Sequence, residues 1–211
     1  MIPAMATVKR REYRSTIRRG DAPQLICAAA ERLFATKGYL ATSIAEIAAE
    51  AGVARPTVFT AVGTKPMILK AVVDRAMAGD DEPGPVAERP WFTEALDEPD
   101  PERAMDLHTR NICWMLRRVV PLLRAMEAAA ALDEDAAALW ADFRRQRRTG
   151  TAGIAADLAA KATLRCPERV LADMLFAVPP DAYYRLVHEE GWSTEAFRHW
   201  LADLLTRTCL A

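Results

Sequence analysis

Apolar side chains recur every three or four residues along most of this chain, which is the spacing that places them on one face of an α-helix. The first such stripe runs from Leu25 to Phe34. Similar stripes follow almost to the last residue, and alanine, leucine, arginine and glutamate, all good helix formers, are abundant. The pattern therefore predicts an all-α protein.

Two short helical patterns lie close together between residues 43 and 60. Ser43 followed three residues later by Glu46 is a capping box, which marks the start of a helix. Gly52 can adopt a left-handed turn at low cost, and Pro56 is tolerated in the first turn of the next helix. Two short helices joined by such a turn predict a helix-turn-helix, whose second helix can enter the major groove of DNA.

The second helix of this pair carries polar side chains on the face away from the core. Arg55 can pair with a guanine edge or a phosphate, and Thr57 and Thr60 can donate to phosphate or contact a thymine methyl group. Lys65 stands at the start of the next predicted helix, where a positive charge and free backbone N–H groups can hold a phosphate. Helix pairs of this kind also occur in other all-α proteins, and a solvated lysine is the alternative interpretation of Lys65.

The chain changes character over residues 79–101, which are rich in proline and acidic residues and which we interpret as a break between domains. The predicted organisation is a flexible basic arm over 1–20, a three-helix helix-turn-helix head over 21–78, and a larger helical domain over 79–211. In that domain we expect a helix over about 102–118, new helices from Pro121 and after Asp133, a break at Pro179–Pro180, and a last helix after Ser193.

The net charge of -1 hides an uneven distribution of charge along the chain. Residues 1–77 hold 12 Lys and Arg against 6 Asp and Glu, and the remaining residues hold 16 against 23. The first part therefore carries +6 and the rest carries -7. A basic segment joined to an acidic remainder indicates contact with a polyanion such as DNA, although chance segregation of charge gives the same counts.

Several other classes of protein find little support in the sequence. The 4 cysteines and 3 histidines show no metal-ligand spacing, and no phosphate-cradling glycine loop or nucleophile–base pair is present. No stretch approaches the roughly 20 apolar residues of a membrane span, and no export signal follows the basic N-terminal residues. We therefore expect a cytoplasmic protein that is not an enzyme and needs no metal or cofactor.

Residues 20–77 resemble the TetR family of bacterial transcriptional regulators. The resemblance is carried by "AAAERLFATKGYLATSIAEIAAEAGVARPTVFTAVGTKPMILKAVV", in which the family's small, glycine and lysine positions fall on Ala48, Gly52 and Lys65. It is weaker in "RPWFTEALDEPDP" and "ADMLFAVPPDAYYRLVHEEGWSTEAFRHWLADLL". The resemblance implies DNA contacts from Thr42, Ser43, Arg55, Pro56, Thr57, Phe59, Thr60 and Lys65.

The chain departs from the family's usual residues at four positions in the head. Phe59 replaces a tyrosine whose hydroxyl typically reaches a phosphate, and Ala54 replaces a serine that commonly caps the recognition helix. Ala61 and Val62 stand where histidine and phenylalanine are frequent. Binding to DNA is therefore expected to depend more on the basic arm, Arg55 and Lys65.

For the second domain, the resemblance implies a helical unit that binds a small molecule and forms a homodimer. Tryptophans and methionines on central helices favour an apolar or aromatic ligand, although ordinary core packing explains each residue singly. For Arg144 and its neighbour Arg147, a solvated basic face is the preferred alternative. The candidate pocket residues are His108, Trp114, Met115, Met126, Trp140, Phe143, Arg144, Phe176 and Tyr184.

The candidate dimer interface lies on the last helices, at Val170, Met174, Phe197, Trp200, Leu201 and Leu204, and the same residues serve equally well as internal core. The function predicted from these observations is a repressor that leaves its operator when a ligand binds the helical domain. A transcriptional activator, or a regulator of the same fold that answers to no ligand, is the alternative. The sequence names neither the ligand nor the operator.

Overall fold

The computed structural model describes residues 20–80 and 84–211, so the basic arm predicted over 1–20 lies, apart from Gly20, outside the described residues. Within these ranges the chain forms nine α-helices and no strand, which confirms the predicted all-α class. The helices are α1 Ala22–Lys37, α2 Ile44–Glu50, α3 Arg55–Ala61, α4 Lys65–Ala78, α5 Pro90–Asp97, α6 Pro101–Ala130, α7 Glu134–Lys161, α8 Glu168–Tyr183 and α9 Thr194–Cys209.

Side-chain caps begin several of these helices where the sequence predicted them. The Ser43 hydroxyl accepts from the Glu46 N–H at 3.2 Å, while the Glu46 carboxylate accepts from the Ser43 N–H at 2.8 Å, completing the capping box of α2. The side chains of Asp133 and Ser193 accept from the N–H groups of Ala136 and Ala196 and so cap α7 and α9. Thr64 precedes α4 with extended backbone but makes no side-chain cap.

Two hydrophobic cores are stacked along the molecule, and α6 contributes to both. The first core joins α1 to α4 with the second half of α6 and the start of α7. The second core joins the first half of α6 with the end of α7, α8 and α9. The N-terminal head is therefore packed directly on the larger helical part, and its division at residue 78 remains a prediction.

The prolines predicted to break helices lie inside them. Pro121 sits within α6, and both Pro179 and Pro180 sit within α8, so the predicted ends of helices at these positions are wrong. Local propensity is outweighed here because α6 spans both cores and α8 is buried against the second. A π-helical turn over Tyr184–Glu189 follows α8.

The predicted linker over 79–101 is partly helical and is held to the rest of the chain. It contains a 3₁₀ turn at Val86–Glu88 and helix α5. The Lys161 ammonium donates to the carbonyls of Ala95 and Leu96, at 3.1 and 2.8 Å. These contacts dock α5 on α7, so the described part of this segment forms a wall of the helical domain. No helix of the described residues is both long and apolar enough to cross a lipid bilayer.

Candidate DNA-binding head and ligand cavity

The turn between α2 and α3 has the geometry that the glycine predicted. Gly52 has φ +68°, a left-handed conformation that is cheap only for glycine. The Val53 N–H donates to the Ala48 carbonyl at 3.0 Å, and Ala48 is buried where α3 crosses. Val58 is fully buried and fixes α3 to the core. The opposite face of α3 is thereby turned outward.

That outward face is the candidate DNA-binding surface. Arg55, Pro56, Phe59 and Thr60 are exposed on it, and Thr57 is half-buried. Arg55 makes no ion pair with any described residue, so its guanidinium is available to an external anion. The Thr60 hydroxyl donates to helix carbonyls, at 3.3 Å from Pro56 and 3.2 Å from Thr57, and must rotate to donate to DNA.

Thr42, predicted as a DNA contact, is buried with 1% of its surface exposed. Its hydroxyl donates to the Gly38 carbonyl at 2.8 Å and closes the turn between α1 and α2. The structure therefore assigns the Thr42 side chain to positioning α2, and its predicted direct contact is not available. Ser43 is exposed, but its hydroxyl is engaged in the capping box.

Lys65 lies at the start of α4 and is only partly exposed. Its ammonium is 3.5 Å from the Leu40 carbonyl oxygen and 4.2 Å from the centre of the Tyr39 ring. Burial lowers the pKa of Lys65. An ammonium has three donors, so these contacts hold Lys65 in place and still leave donors for a phosphate.

The remaining charges on the head are largely paired. Lys37 pairs with Glu46, and Arg32 pairs with Glu50 at 3.0 Å. Residues 21–78 hold 6 Lys and Arg against 5 Asp and Glu, whereas residues 1–20 hold 6 against 1. Most of the excess positive charge of the N-terminal part therefore belongs to the arm outside the described residues.

A cavity of about 500 Å³ lies between the two cores. Its volume is within the range of about 300–1,000 Å³ typical of small-molecule sites. Its walls are the end of α4, the segment around residues 84–87, α6, α7 and α8. Most of the lining is apolar, contributed by Met77, Ala78, Pro85, Val86, Ala87, Phe92, Ile112, Met115, Leu116, Val119, Leu123, Phe143, Ile154, Leu175 and Pro179.

Arg147 is the cation in this lining and was not among the predicted pocket residues. Its guanidinium donates to the carbonyls of Leu175 and Phe176, and burial lowers the pKa of Arg147 to about 10. The predicted solvated basic face is therefore wrong for Arg147. A signal was present in the sequence, because Arg147 lies four residues from both Phe143 and Thr151, at the helical spacing of the face of α7 that lines the cavity.

Residues 26–72, which span α1 to most of α4, match the model of the bacterial regulatory proteins of the tetR family. Over these residues, which include the helix-turn-helix, the chain is similar to TetR-family proteins. The match indicates a DNA-binding regulator, not an enzyme, as the sequence predicted. A comparison with curated proteins found no match.

Solved structures of transcriptional regulators share the fold over most of the chain. A protein from Saccharomonospora viridis, assigned as a transcriptional regulator and in complex with choline, is 18% identical, with a TM-score of 0.69 over 91% of this chain and 99% of that one. A Mesorhizobium loti TetR-family protein is 18% identical, with a TM-score of 0.64 over 92% and 100%. FadR from Bacillus subtilis, in complex with stearoyl-CoA, is 17% identical, with a TM-score of 0.68 over 86% and 96%.

Helix α4 connects the N-terminal head to the cavity. Lys65 begins α4 beside the DNA-binding surface, and Met77 and Ala78 end it in the cavity wall. The Arg118 guanidinium donates to the Ala76 carbonyl at 2.8 Å and stacks on Trp114 with 3.4 Å to the ring centre. These contacts hold the C-terminal end of α4 against α6.

Of the nine predicted pocket residues, Met115 and Phe143 line this cavity. The other seven lie elsewhere in the helical domain. Met126 is in the first core, and His108 is buried 3.2 Å from the Asp157 carboxylate. Trp114 stacks with Arg118, Trp140 packs on Phe143, Arg144 lies near Phe176, and Tyr184 lies beneath Arg124.

The six predicted interface residues divide into two groups. Phe197 and Leu201 are completely buried within this chain's second core, so they follow the core alternative that the sequence had left open. Val170 is 41% exposed, and Met174, Trp200 and Leu204 are partly exposed on α8 and α9. The described residues contain no cluster of His, Cys, Asp and Glu suited to a metal ion.

Proposed function

We propose that this protein is a homodimeric, ligand-gated repressor that acts on operator DNA in the cytoplasm. The observation that carries the proposal is helix α4, because it connects the exposed DNA-binding surface with an apolar cavity of ligand size. A ligand that changes the position of Met77 or Ala78 moves the same helix that orients the head. The two sites are therefore coupled through one rigid element.

The mechanism requires a difference in ligand affinity between two states of the protein. A molecule that fits the cavity better when α4 is displaced shifts the dimer toward a state whose recognition helices no longer match the operator. A coupling of about 1–3 kcal/mol lowers operator affinity by roughly 5–150-fold. The Arg118 guanidinium ties the end of α4 to α6 through the Ala76 carbonyl, so a shift of α6 on ligand binding acts on α4 as well.

The structural neighbours support a ligand role for the helical domain. The proteins from S. viridis and B. subtilis were solved in complex with choline and with stearoyl-CoA. These two molecules differ in size and charge, so they support ligand binding in general and leave its chemistry to this chain's own residues.

The dimer is proposed from geometry. One helix-turn-helix contacts few base pairs, and a two-fold dimer places two recognition helices about 34 Å apart on one face of the duplex. The partly exposed apolar residues of α8 and α9 offer the surface that a partner subunit can cover. Val170 and Trp200 are the members of this surface that we regard as its centre.

DNA binding is tested by fluorescence anisotropy with DNA from upstream of the protein's own gene and random DNA as the competitor. We expect specific binding with a steep dependence on salt, and an Arg55→Ala variant that binds at least tenfold more weakly. Arg145→Ala is the matched control, because Arg145 is exposed on α7, which does not carry the DNA-binding surface. Equal affinity of wild type and Arg55→Ala for both DNAs contradicts the proposal.

The activator alternative is separated by a reporter gene placed under the bound promoter. Deletion of the regulator is expected to raise transcription if the protein represses. A fall in transcription on deletion favours an activator built on the same fold.

A further inference from the structure

The wall of the cavity combines an apolar surface with one partly buried guanidinium. Arg147 is half-buried on α7, and the other residues deep in the lining are mostly Leu, Ile, Val, Met and Phe. A charge in such surroundings is costly unless it is hydrogen-bonded or paired. The hydrogen-bond partners of Arg147 therefore determine which ligand groups this cavity can still bind.

The two carbonyls that Arg147 binds are left free by a pair of prolines. In an α-helix, each N–H donates to the carbonyl four residues earlier. Pro179 and Pro180 have no N–H, so the carbonyls of Leu175 and Phe176 lack their helical partners. One terminal nitrogen of Arg147, Nη2, donates to both carbonyls.

These bonds use only part of the guanidinium. An arginine has five N–H donors, and the contacts to Leu175 and Phe176 all come from Nη2. Nε and Nη1 donate to no acceptor among the described residues. Arg147 also forms no ion pair with any described carboxylate.

The nearby acidic groups are engaged elsewhere or lie beyond contact. Asp74 lines the cavity but is paired with Lys70, and Asp173 is paired with Arg148 at 2.7 Å. Asp181 acts on Arg147 only at a distance. Arg147 therefore brings a positive charge without an ion-pair partner into the cavity wall, and Arg144, which lies against the same Phe176 ring, also makes no ion pair within the described ranges.

We propose that the cavity binds an amphipathic anion, with its apolar chain between α6 and α7 and its carboxylate or phosphate on Arg147. This inference rests on the proposed ligand site and specifies its chemistry. The free Nε and Nη1 groups of this guanidinium can each donate a charge-assisted hydrogen bond to a carboxylate or phosphate oxygen. A volume of about 500 Å³ corresponds to roughly 16 water molecules at liquid density. The cavity can therefore hold an alkyl chain of medium length, such as that of the ten-carbon probes used below.

The test is isothermal titration calorimetry of the full chain with three probes that share a ten-carbon chain. Decanoate carries an anion, decanol a neutral hydroxyl, and decyltrimethylammonium a cation. We expect decanoate to bind wild-type protein at least tenfold more tightly than decanol, because a charge-assisted bond to a half-buried cation is stronger than a neutral one. The cation is expected to bind most weakly. Decyl phosphate then distinguishes a phosphate from a carboxylate as the preferred head group.

Arg147→Gln removes the charge and keeps one amide donor for the free carbonyls. We expect this variant to bind decanoate and decanol equally, with decanol affinity within threefold of wild type. Arg147→Lys is expected to restore part of the preference, and Arg145→Gln, at an exposed site on the same helix, to leave it intact. Circular dichroism establishes that each variant is folded.

Equal binding of decanoate and decanol by wild-type protein, or tighter binding of the cation, overturns the inference without the use of any variant. An Arg147→Gln protein that is folded and still prefers decanoate also overturns it. Because calorimetry uses protein alone, its result is independent of DNA. Decanoate that binds as expected but does not release the operator contradicts the proposed gating and supports the ligand chemistry.

Discussion

Phe59 is the residue at which the DNA-binding surface differs most visibly from the family's usual one. Phe59 is 46% exposed on the outer face of α3, where its apolar ring remains in contact with water. A hydroxyl at this position can donate to a phosphate, and a neutral hydrogen bond contributes about 1 kcal/mol.

We therefore expect Phe59→Tyr to tighten operator binding by about fivefold. The slope of affinity against salt concentration should not change, because tyrosine adds no charge. Phe59→Leu controls for the change of side chain and should show no gain. Anisotropy titrations that show weaker binding by the tyrosine variant would place residue 59 away from the phosphate backbone.

Glu46 makes the stability of the head depend on pH. Its hydrogen bond from Lys37, and those from the Ser43 N–H and hydroxyl, lower the pKa of Glu46 from 4.5 to about 2. A depressed pKa means that the contribution is present above pH 4.5 and is lost as the pH falls from 4.5 toward 2. Glu46→Gln keeps a capping side chain but cannot titrate.

We expect urea unfolding of wild type to show a loss of stability over this acidic range that is smaller in Glu46→Gln. If the free energy of unfolding falls with pH equally in the two proteins, Glu46 is not held in its ion pair and capping box in solution.

Arg147 shows what sequence reasoning about one residue could and could not supply. The head residues follow from local rules, since the capping box at Ser43 and the turn at Gly52 depend on neighbours a few positions away. Arg147 depends on two prolines about thirty residues later in the chain. Its place on the α7 stripe was visible, but the free carbonyls that hold it there could be found only from the packing of α7 on α8.

At the junction of α4 with α6, a glycine lies directly against an aromatic ring. Gly79 ends α4 with φ +80°, and a Cβ at this position would overlap Cη2 of the Trp114 ring. Any side chain here must displace that ring, on which Arg118 stacks.

Gly79→Ala is therefore expected to lower the free energy of unfolding by about 1–3 kcal/mol, through backbone strain and the displaced ring. Gly153→Ala is a control of opposite sign, because Gly153 lies in an exposed part of α7 where an added Cβ meets no atom within 4 Å. That change should raise stability by roughly 0.5–1 kcal/mol. Chemical denaturation measures the free energy of unfolding of both variants. If Gly79→Ala leaves this free energy unchanged, the junction of α4 with α6 is loosely packed.

Most helices could be predicted from periodicity and caps, but their continuity could not. Pro121 and Pro179–Pro180 indicated ends of helices, and each lies within one. The cost of a missing N–H is offset for α8 by the Arg147 guanidinium, and α6 is held by two cores at once. Such compensation comes from distant parts of the chain and leaves no local pattern.

Across the whole molecule, the shared first core explains why a head predicted to be separate can be coupled to the cavity. Val119 and Leu123 of α6 belong to the head's core and also line the cavity. A break in composition at residues 79–101 could not reveal this continuity, because the residues that form it lie in a later helix.

The exposed apolar positions of α8 give a prediction about assembly. Val170→Glu would place an unpaired carboxylate in the proposed interface, and we expect it to convert dimers to monomers in sedimentation velocity. Leu132→Glu is the control, because Leu132 is 79% exposed at the turn between α6 and α7. A Val170→Glu protein that sediments as wild type would locate the interface elsewhere.

Selection of binding sites from random duplex DNA by the purified protein decides whether a dimer binds specific DNA through α3. We expect enrichment of an inverted repeat whose half-sites are centred about 10 base pairs, or a multiple of one helical turn, apart. We also expect Arg55→Ala to lose the preference at one position of each half-site. If no sequence is enriched, or only a single half-site without symmetry, the protein is not a dimeric DNA-binding regulator of the kind proposed.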